Sequence, residues 1–416
     1  MENIVKSLEQ AGNLFTYTNS ACECYVDVSH DDNGKEHYTF KVRQKEGDIK
    51  YAYAPGVGLC IINKTGSVDQ NKLPMDDFLS LKLDKVDELK NYIEKYGFFS
   101  TIPEKQYASI SFEELKPILK RLQVLVQMIS EVSSKEVNYN NLMSWVLKLL
   151  LAKPMSVNTT SEIDGRLDTA IHPFTDLWFS YHEIQPRKKP IESLSPDEID
   201  SYDTDIDVID SFTGKTEKWD LDKQSKLDYD LMDERIKKDG NIQGKVAIVL
   251  KYIYLNCPPI HKNGRKVLDF LYHFSEDISP IYSTGDIDTI KVSNSVDLNM
   301  KKEFTEQYKN ALMEITKDII KGELDIQLQS VHPAYDRETM SANWTIENMF
   351  AAMYFSLFYM RPEYEIYRAC ANPNCNRLFK VKTTNDRRRY HDHACQNAAA
   401  QMRHRKKKRN ESPSVD

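Results

Sequence analysis

The chain has 416 residues, 40% of them hydrophobic, and a formal net charge of −7; at ~100–200 residues per domain it holds two or three domains, and its apolar share excludes a wholly disordered chain. The charge is segregated, with +10 over residues 377–409, −2 over the last seven and therefore −15 over residues 1–376. A basic end on an acidic body predicts a polyanion-binding terminus that the remainder does not share.

In chain order, Glu2, Lys6 and Glu9 interrupt the apolar stretch that a signal peptide needs, so the expected location is cytoplasmic. Residues 1–80 read as β-rich. Two strand-like runs flank Asp31-Asp32-Asn33-Gly34, where Asn-Gly signals a hairpin because both residues tolerate positive φ. "DIKYAYAP" and "GLCIINK" continue an antiparallel β-meander. Cys22 and Cys24 would share one strand face as packing residues, and the isolated Cys60 and Cys257 read as small core residues.

Residues 81–185 read as helical. "DKVDELKNYIEKYGFF" predicts one helix, with Gly97 near its end. A second opens with Ser111 and Glu114 in capping-box spacing, and its apolar positions Leu115, Ile118, Leu119, Leu122, Val126 and Ile129 make one stripe. Pro117 should kink it or mark a restart. A third covers about 141–151. Residues 186–240 read as an acidic linker or insertion, with seven carboxylates from Asp197 to Asp210. Residues 241–368 read as helical again, in "GKVAIVLKYIYLN", in a stripe from Phe304 to Ile319, and in a helix starting at Thr345. The longest apolar run, Met349–Met360, has 12 residues; crossing a bilayer takes ~20, so it predicts a buried helix and no membrane partner.

Residues 369–409 carry the chemistry, ahead of a tail at 410–416. Cys370-x4-Cys375-x15-His391-x3-Cys395 places two short ligand pairs on separate turns, the arrangement that lets zinc collect four donors in a tetrahedron with little chain entropy lost. His393 is the alternative fourth ligand, but a span of one residue to Cys395 is cramped, which favours His391. Four protein ligands describe a closed, structural zinc, and Pro373 and Asn374 favour the tight turn in the first pair. About forty residues cannot bury enough surface to fold alone, so zinc at ~10–16 kcal/mol would be the module's main source of stability.

The segment "RACANPNCNRLFKVKTTNDRRRYHDHACQNAAAQMRHRKKK" resembles the CGNR-type zinc finger, a C-terminal module of bacterial proteins regarded as DNA-binding transcriptional regulators. The matching positions are Cys370, Cys375, Phe379, Arg388 and Arg389 before Tyr390, and Cys395 with Asn397. His391 stands where that family has its third cysteine, and Cys-Gln-Asn-Ala replaces Cys-Gly-Asn-Arg.

After Cys395 the alanine-rich sequence predicts a helix ending in cations. Arg403, Lys406 and Lys407 fall at i, i+3 and i+4, broadened by Arg405, Lys408 and Arg409. Arg377, Lys380, Lys382, Arg387, Arg388 and Arg389 would hold phosphates, and base reading would fall to Gln396, Asn397, Gln401 and Arg403.

The reading is an α+β protein: an N-terminal antiparallel β-meander, a mostly helical central body, and a small C-terminal zinc-binding module with a basic helix. Its expected function is non-enzymatic and regulatory, with DNA as partner, RNA as the alternative polyanion, and an effector or protein partner for the acidic body. A protein- or RNA-interaction scaffold is the second reading, and an enzyme with its site in the body the third. No short catalytic motif supports the third: Gly214-Lys215-Thr216 has Ile209 where a phosphate loop needs glycine, and Pro186 stands where a zinc-protease helix needs its second histidine.

Overall fold

A computed structural model describes residues 15–151 with short gaps, the pieces 156–158, 166–168, 205–209 and 214–220, residues 270, 273 and 274, and residues 297–411 with short gaps. The chain divides into two compact units. One comprises Met1–Lys135, Met155–Ala170 and Glu323–Asp416; the other comprises Glu136–Pro154 and Ile171–Gly322.

The first unit is built on a long antiparallel hairpin, β1 (Thr16–His30) with β2 (Glu36–Ala54). Its turn is not the expected pair of positive-φ residues. Only Gly34 enters the left-handed region, at φ 76°, and Asp31 organises the loop by accepting the Asn33 and Lys35 N–H groups on its Oδ1 at 2.9 and 2.8 Å. The register shifts between Ser20 and Cys22, opposite Gly47 at φ 112°. This bulge moves the inward-facing set from Tyr17 and Asn19 to Cys22 and Cys24, keeping both cysteines in the core.

The meander continues as expected through β3 (Gly58–Ile62) and β4 (Val68–Asp69), in the order β1-β2-β3-β4. Two helices follow, α1 (Pro74–Leu79) and α2 (Val86–Tyr96). Gly97 ends α2 at φ 76°, and the sheet closes its terminus: Tyr51 Oη donates to the Tyr96 carbonyl at 2.6 Å and Cys22 Sγ to the Ile93 carbonyl at 3.2 Å. The strand β5 (Ala108–Ser111) returns to pair with Thr39–Val42 of β2.

Helix α3 (Phe112–Val132) runs without restart through Pro117. Ser111 is its N-cap residue, yet its side chain makes no capping bond; the hydroxyl donates instead to Glu113 Oε2 at 2.9 Å, so the expected capping box does not form. All six positions of the expected stripe are buried, as are Val124, Leu125 and Met128, so α3 is enclosed on more than one side.

In the second unit, α4 (Tyr139–Leu151) sits beside a turn at Leu298–Met300, where Asn140 Oδ1 accepts the Leu298 N–H at 2.9 Å. Phe270, Phe274, Phe304 and Tyr308 form an aromatic cluster there. The second unit also holds a short antiparallel ladder, β8 (Asp205–Ile209) with β9 (Thr216–Asp220), inside the acidic stretch, whereas the ladder that precedes it in sequence, β6 (Ser156–Asn158) with β7 (Arg166–Asp168), belongs to the first unit. The remainder of that stretch, the helix expected over 244–256, and Cys257 lie outside the described residues.

Helix α5 (Glu306–Gln327) buries Tyr308, Ala311, Leu312, Ile315 and Ile319, and its last turn from Glu323 belongs to the first unit. Next comes a hairpin absent from the sequence reading, β10 (Val331–Asp336) with β11 (Ser341–Ile346). Thr345 therefore lies in a strand. Helix α6 (Met349–Phe358) begins only after Asn348, whose Oδ1 accepts the Ala351 N–H at 2.8 Å. As the apolar run predicts, α6 is buried, with only Phe358 exposed. Phe355 packs its ring, tilted by 37°, against that of Phe15 just before β1, with 4.7 Å between centroids.

The chain ends in β12 (Glu365–Ala369) paired with β13 (Leu378–Lys382), followed by α7 (His393–Glu411). Tyr367 of β12 fastens this hairpin to the unit. Its N–H donates to Ser130 Oγ of α3 at 3.1 Å and its hydroxyl to Asp76 Oδ1 of α1 at 2.7 Å. Lys380 of β13 donates its ammonium to the Val57 carbonyl at 3.2 Å.

Candidate metal centre

The loop between β12 and β13 and the start of α7 converge on one point. Cys370 extends the hairpin by one pair, its N–H donating to the Arg377 carbonyl at 2.9 Å, and the chain then reverses so that the Cys375 N–H reaches the Asn372 carbonyl at 2.8 Å. Asn372 builds this turn by accepting the Asn374 N–H on its Oδ1 at 3.2 Å. Pro373 lies outside the described residues.

One donor atom each from Cys370, Cys375, His391 and Cys395 lie within 4.8 Å of one another. The His391 Nδ1 is 3.5 Å from the Cys370 sulfur and 3.6 Å from that of Cys375. A tetrahedral zinc with its usual bond lengths has S···N edges of about 3.5 Å, so His391 stands from Cys370 and Cys375 at the distance the ion needs, with Cys395 in the same close group. The Cys3His set fits a structural zinc. His393 is exposed on the first turn of α7 and is not part of the cluster.

The cluster has its own supports. His391 turns its other nitrogen, Nε2, to Asp392 Oδ2 at 2.9 Å, leaving Nδ1 for the metal. Asp392 Oδ1 accepts the Cys395 N–H at 2.7 Å, capping α7; that bond holds the Asp392 carboxyl below the usual carboxylate range. The buried Asn372 donates its amide to the Cys395 sulfur at 3.3 Å. Burial pushes the Cys370 thiol up, but the His391 ring and neighbouring N–H groups outweigh it and hold it at about 7. Burial pushes Cys375 up to about 11. Phe379 and Val381 pack with Cys370 beneath the site, with Cys375, Tyr390 and Cys395 against them.

Asn372 and Asp392 are the residues that the sequence reading missed. Both carried a signal: Asn372 precedes a proline, a turn dipeptide, and Asp392 stands three residues before Cys395, the spacing of a helix cap.

The expected nucleic-acid residues divide. Ala399 is buried and Ala398 and Met402 half-buried, so α7 faces the module with that side. Gln396, Asn397, Gln401, Arg403 and Arg405 are exposed, with Arg403 reaching the Tyr390 hydroxyl at 3.4 Å. Arg377 and Arg389 are exposed. Two residues depart from the expectation. Lys380 is spent on Val57, because β13 turns that side chain toward the sheet. Arg388 lies over the Phe379 ring at 5.2 Å and donates to the His391 carbonyl at 2.5 Å, so it braces the ligand loop. Lys382 ends β13 and Lys406, Lys407, Lys408 and Arg409 continue α7, while Arg387 lies outside the described residues.

Among the described residues no helix is long and apolar enough to cross a membrane. Residues 367–408 match the family described as the CGNR zinc finger. No curated protein and no solved structure matches the chain.

Proposed function

We propose that the chain is a non-enzymatic, zinc-dependent DNA-binding protein of the cytoplasm, a transcriptional regulator whose acidic body senses an effector or engages a partner. The observation that carries this reading is α7. It is capped and fixed at its first turn by the metal cluster, presents Gln396, Asn397, Gln401, Arg403 and Arg405 to solvent, and continues into Lys406–Arg409. A rigid polar helix with a cationic extension suits a groove flanked by phosphates, where cations give affinity and uncharged amides read base edges.

The test is fluorescence anisotropy of the intact protein on duplex DNA across a salt series, beside Cys375→Ser. If about six cations neutralise phosphates, log K falls with log salt at a slope near −5, and Cys375→Ser, having lost zinc, binds at least tenfold more weakly. Weak, salt-insensitive binding would favour the scaffold reading. Equal affinity of the zinc-free variant would show that the basic segment acts without the module.

A further inference from the structure

We propose that Asp392 is the positioning residue that couples metal binding to the direction of α7. Its carboxylate has two oxygens with two duties. Oδ2 takes the His391 Nε2 at 2.9 Å, which fixes the imidazole with Nδ1 aimed at the sulfurs of Cys370 and Cys375, 3.5 and 3.6 Å away. Oδ1 takes the N–H of Cys395 at 2.7 Å, and Cys395 is at once the third residue of α7 and a ligand.

One side chain thus joins a ligand preceding the helix to a ligand inside it. The geometry assigns the imidazole a definite tautomer in the loaded protein, proton on Nε2 and metal on Nδ1, because a carboxylate can only accept at Nε2. A histidine takes the place of the cysteine that the resembled family has at this position, and a thiolate would present no second nitrogen for Asp392 to hold. The inference rests on the zinc reading of the site, not on DNA binding.

Asparagine separates the two duties. Asp392→Asn keeps an oxygen able to cap α7 but removes the charge that holds His391, whereas Asp392→Ala removes both functions. Zinc affinity of the full chain is measured by competition with a chromophoric chelator for wild type, Asp392→Asn, Asp392→Ala, Cys375→Ser, and Asp32→Asn as a charge control on the exposed turn. Amide hydrogen exchange over 395–398 of the zinc-loaded proteins follows the cap.

Asp392→Asn should bind zinc 10–100-fold more weakly, with exchange at 395–398 close to wild type. Asp392→Ala should lose affinity and also exchange faster there. In ¹⁵N-histidine spectra of the loaded wild type, His391 should show a protonated Nε2 and a metal-bound Nδ1. Wild-type zinc affinity in Asp392→Asn, or a metal-bound Nε2, would overturn the assignment. Undiminished zinc binding by Cys375→Ser would instead overturn the metal reading beneath it.

Discussion

Single residues in the first unit carry costs that the sequence does not advertise. Arg121 of α3 and Glu323 of α5 are both buried and joined by a forked pair, Nε to Oε1 and Oε2 at 3.0 and 3.1 Å and a terminal nitrogen to Oε1 at 2.5 Å. They lie 202 positions apart, so no local pattern could announce them. Breaking such a pair from one side leaves a buried charge without a partner. Tyr354 of α6 lies in the field of both, and its hydroxyl is fully buried without a hydrogen-bond partner among the described residues. An unsatisfied buried polar atom costs about 1–3 kcal/mol, so Tyr354→Phe should hold or raise the midpoint of urea unfolding. At the metal, Cys370 at about 7 and Cys375 at about 11 set the pH response. The metal takes thiolates, so zinc affinity measured by chelator competition should fall as the medium is acidified. It should fall more steeply below pH 7, where about one further proton must leave Cys370.

At the level of elements, the metal ligands were legible because zinc dictates spacing, and spacing is a property of the sequence. The amphipathic stripes of α3 and α5 were legible for a related reason, since one buried face imposes a helical period. The strands β10–β11 were not. Trp344 and Ile346 lead toward the apolar run of α6, and only Glu347 and the N-cap at Asn348 stand between. Equally hidden was the inward turn of Lys380, a cation that the composition assigned to phosphate and the fold assigns to Val57. The hairpin β12–β13 is fastened by Tyr367, whose N–H and hydroxyl reach two different helices. Tyr367→Phe deletes the bond to Asp76 and should cost about 1 kcal/mol in the unfolding of the first unit, read by denaturant titration. No effect would mean that packing alone holds the hairpin.

The whole molecule revises how the zinc module is held. An isolated piece of forty residues would owe its order to the ion. The module's first strands are instead bonded to α3, α1 and the loop before β3, so the hairpin has support that no chelator can remove. Withdrawing zinc should therefore divide the module: hydrogen exchange should rise sharply over Cys370–Cys375 and the first turns of α7, while β12 and the β1–β5 sheet keep their protection. Uniform loss of protection across the first unit would show the ion to be its keystone as well.

The first unit is also discontinuous, since Lys135 is followed in it, apart from Met155–Ala170, only by Glu323 and beyond. A ribosome adding ~5–20 residues per second needs ~10–40 s to cross that interval. Throughout it Phe15 lacks Phe355, and Arg121 lacks the carboxylate that neutralises it. The nascent sheet must wait, with aromatic surface uncovered, for its own distant C-terminal sequence, which makes this interval the one in which chaperone capture or aggregation would compete with folding.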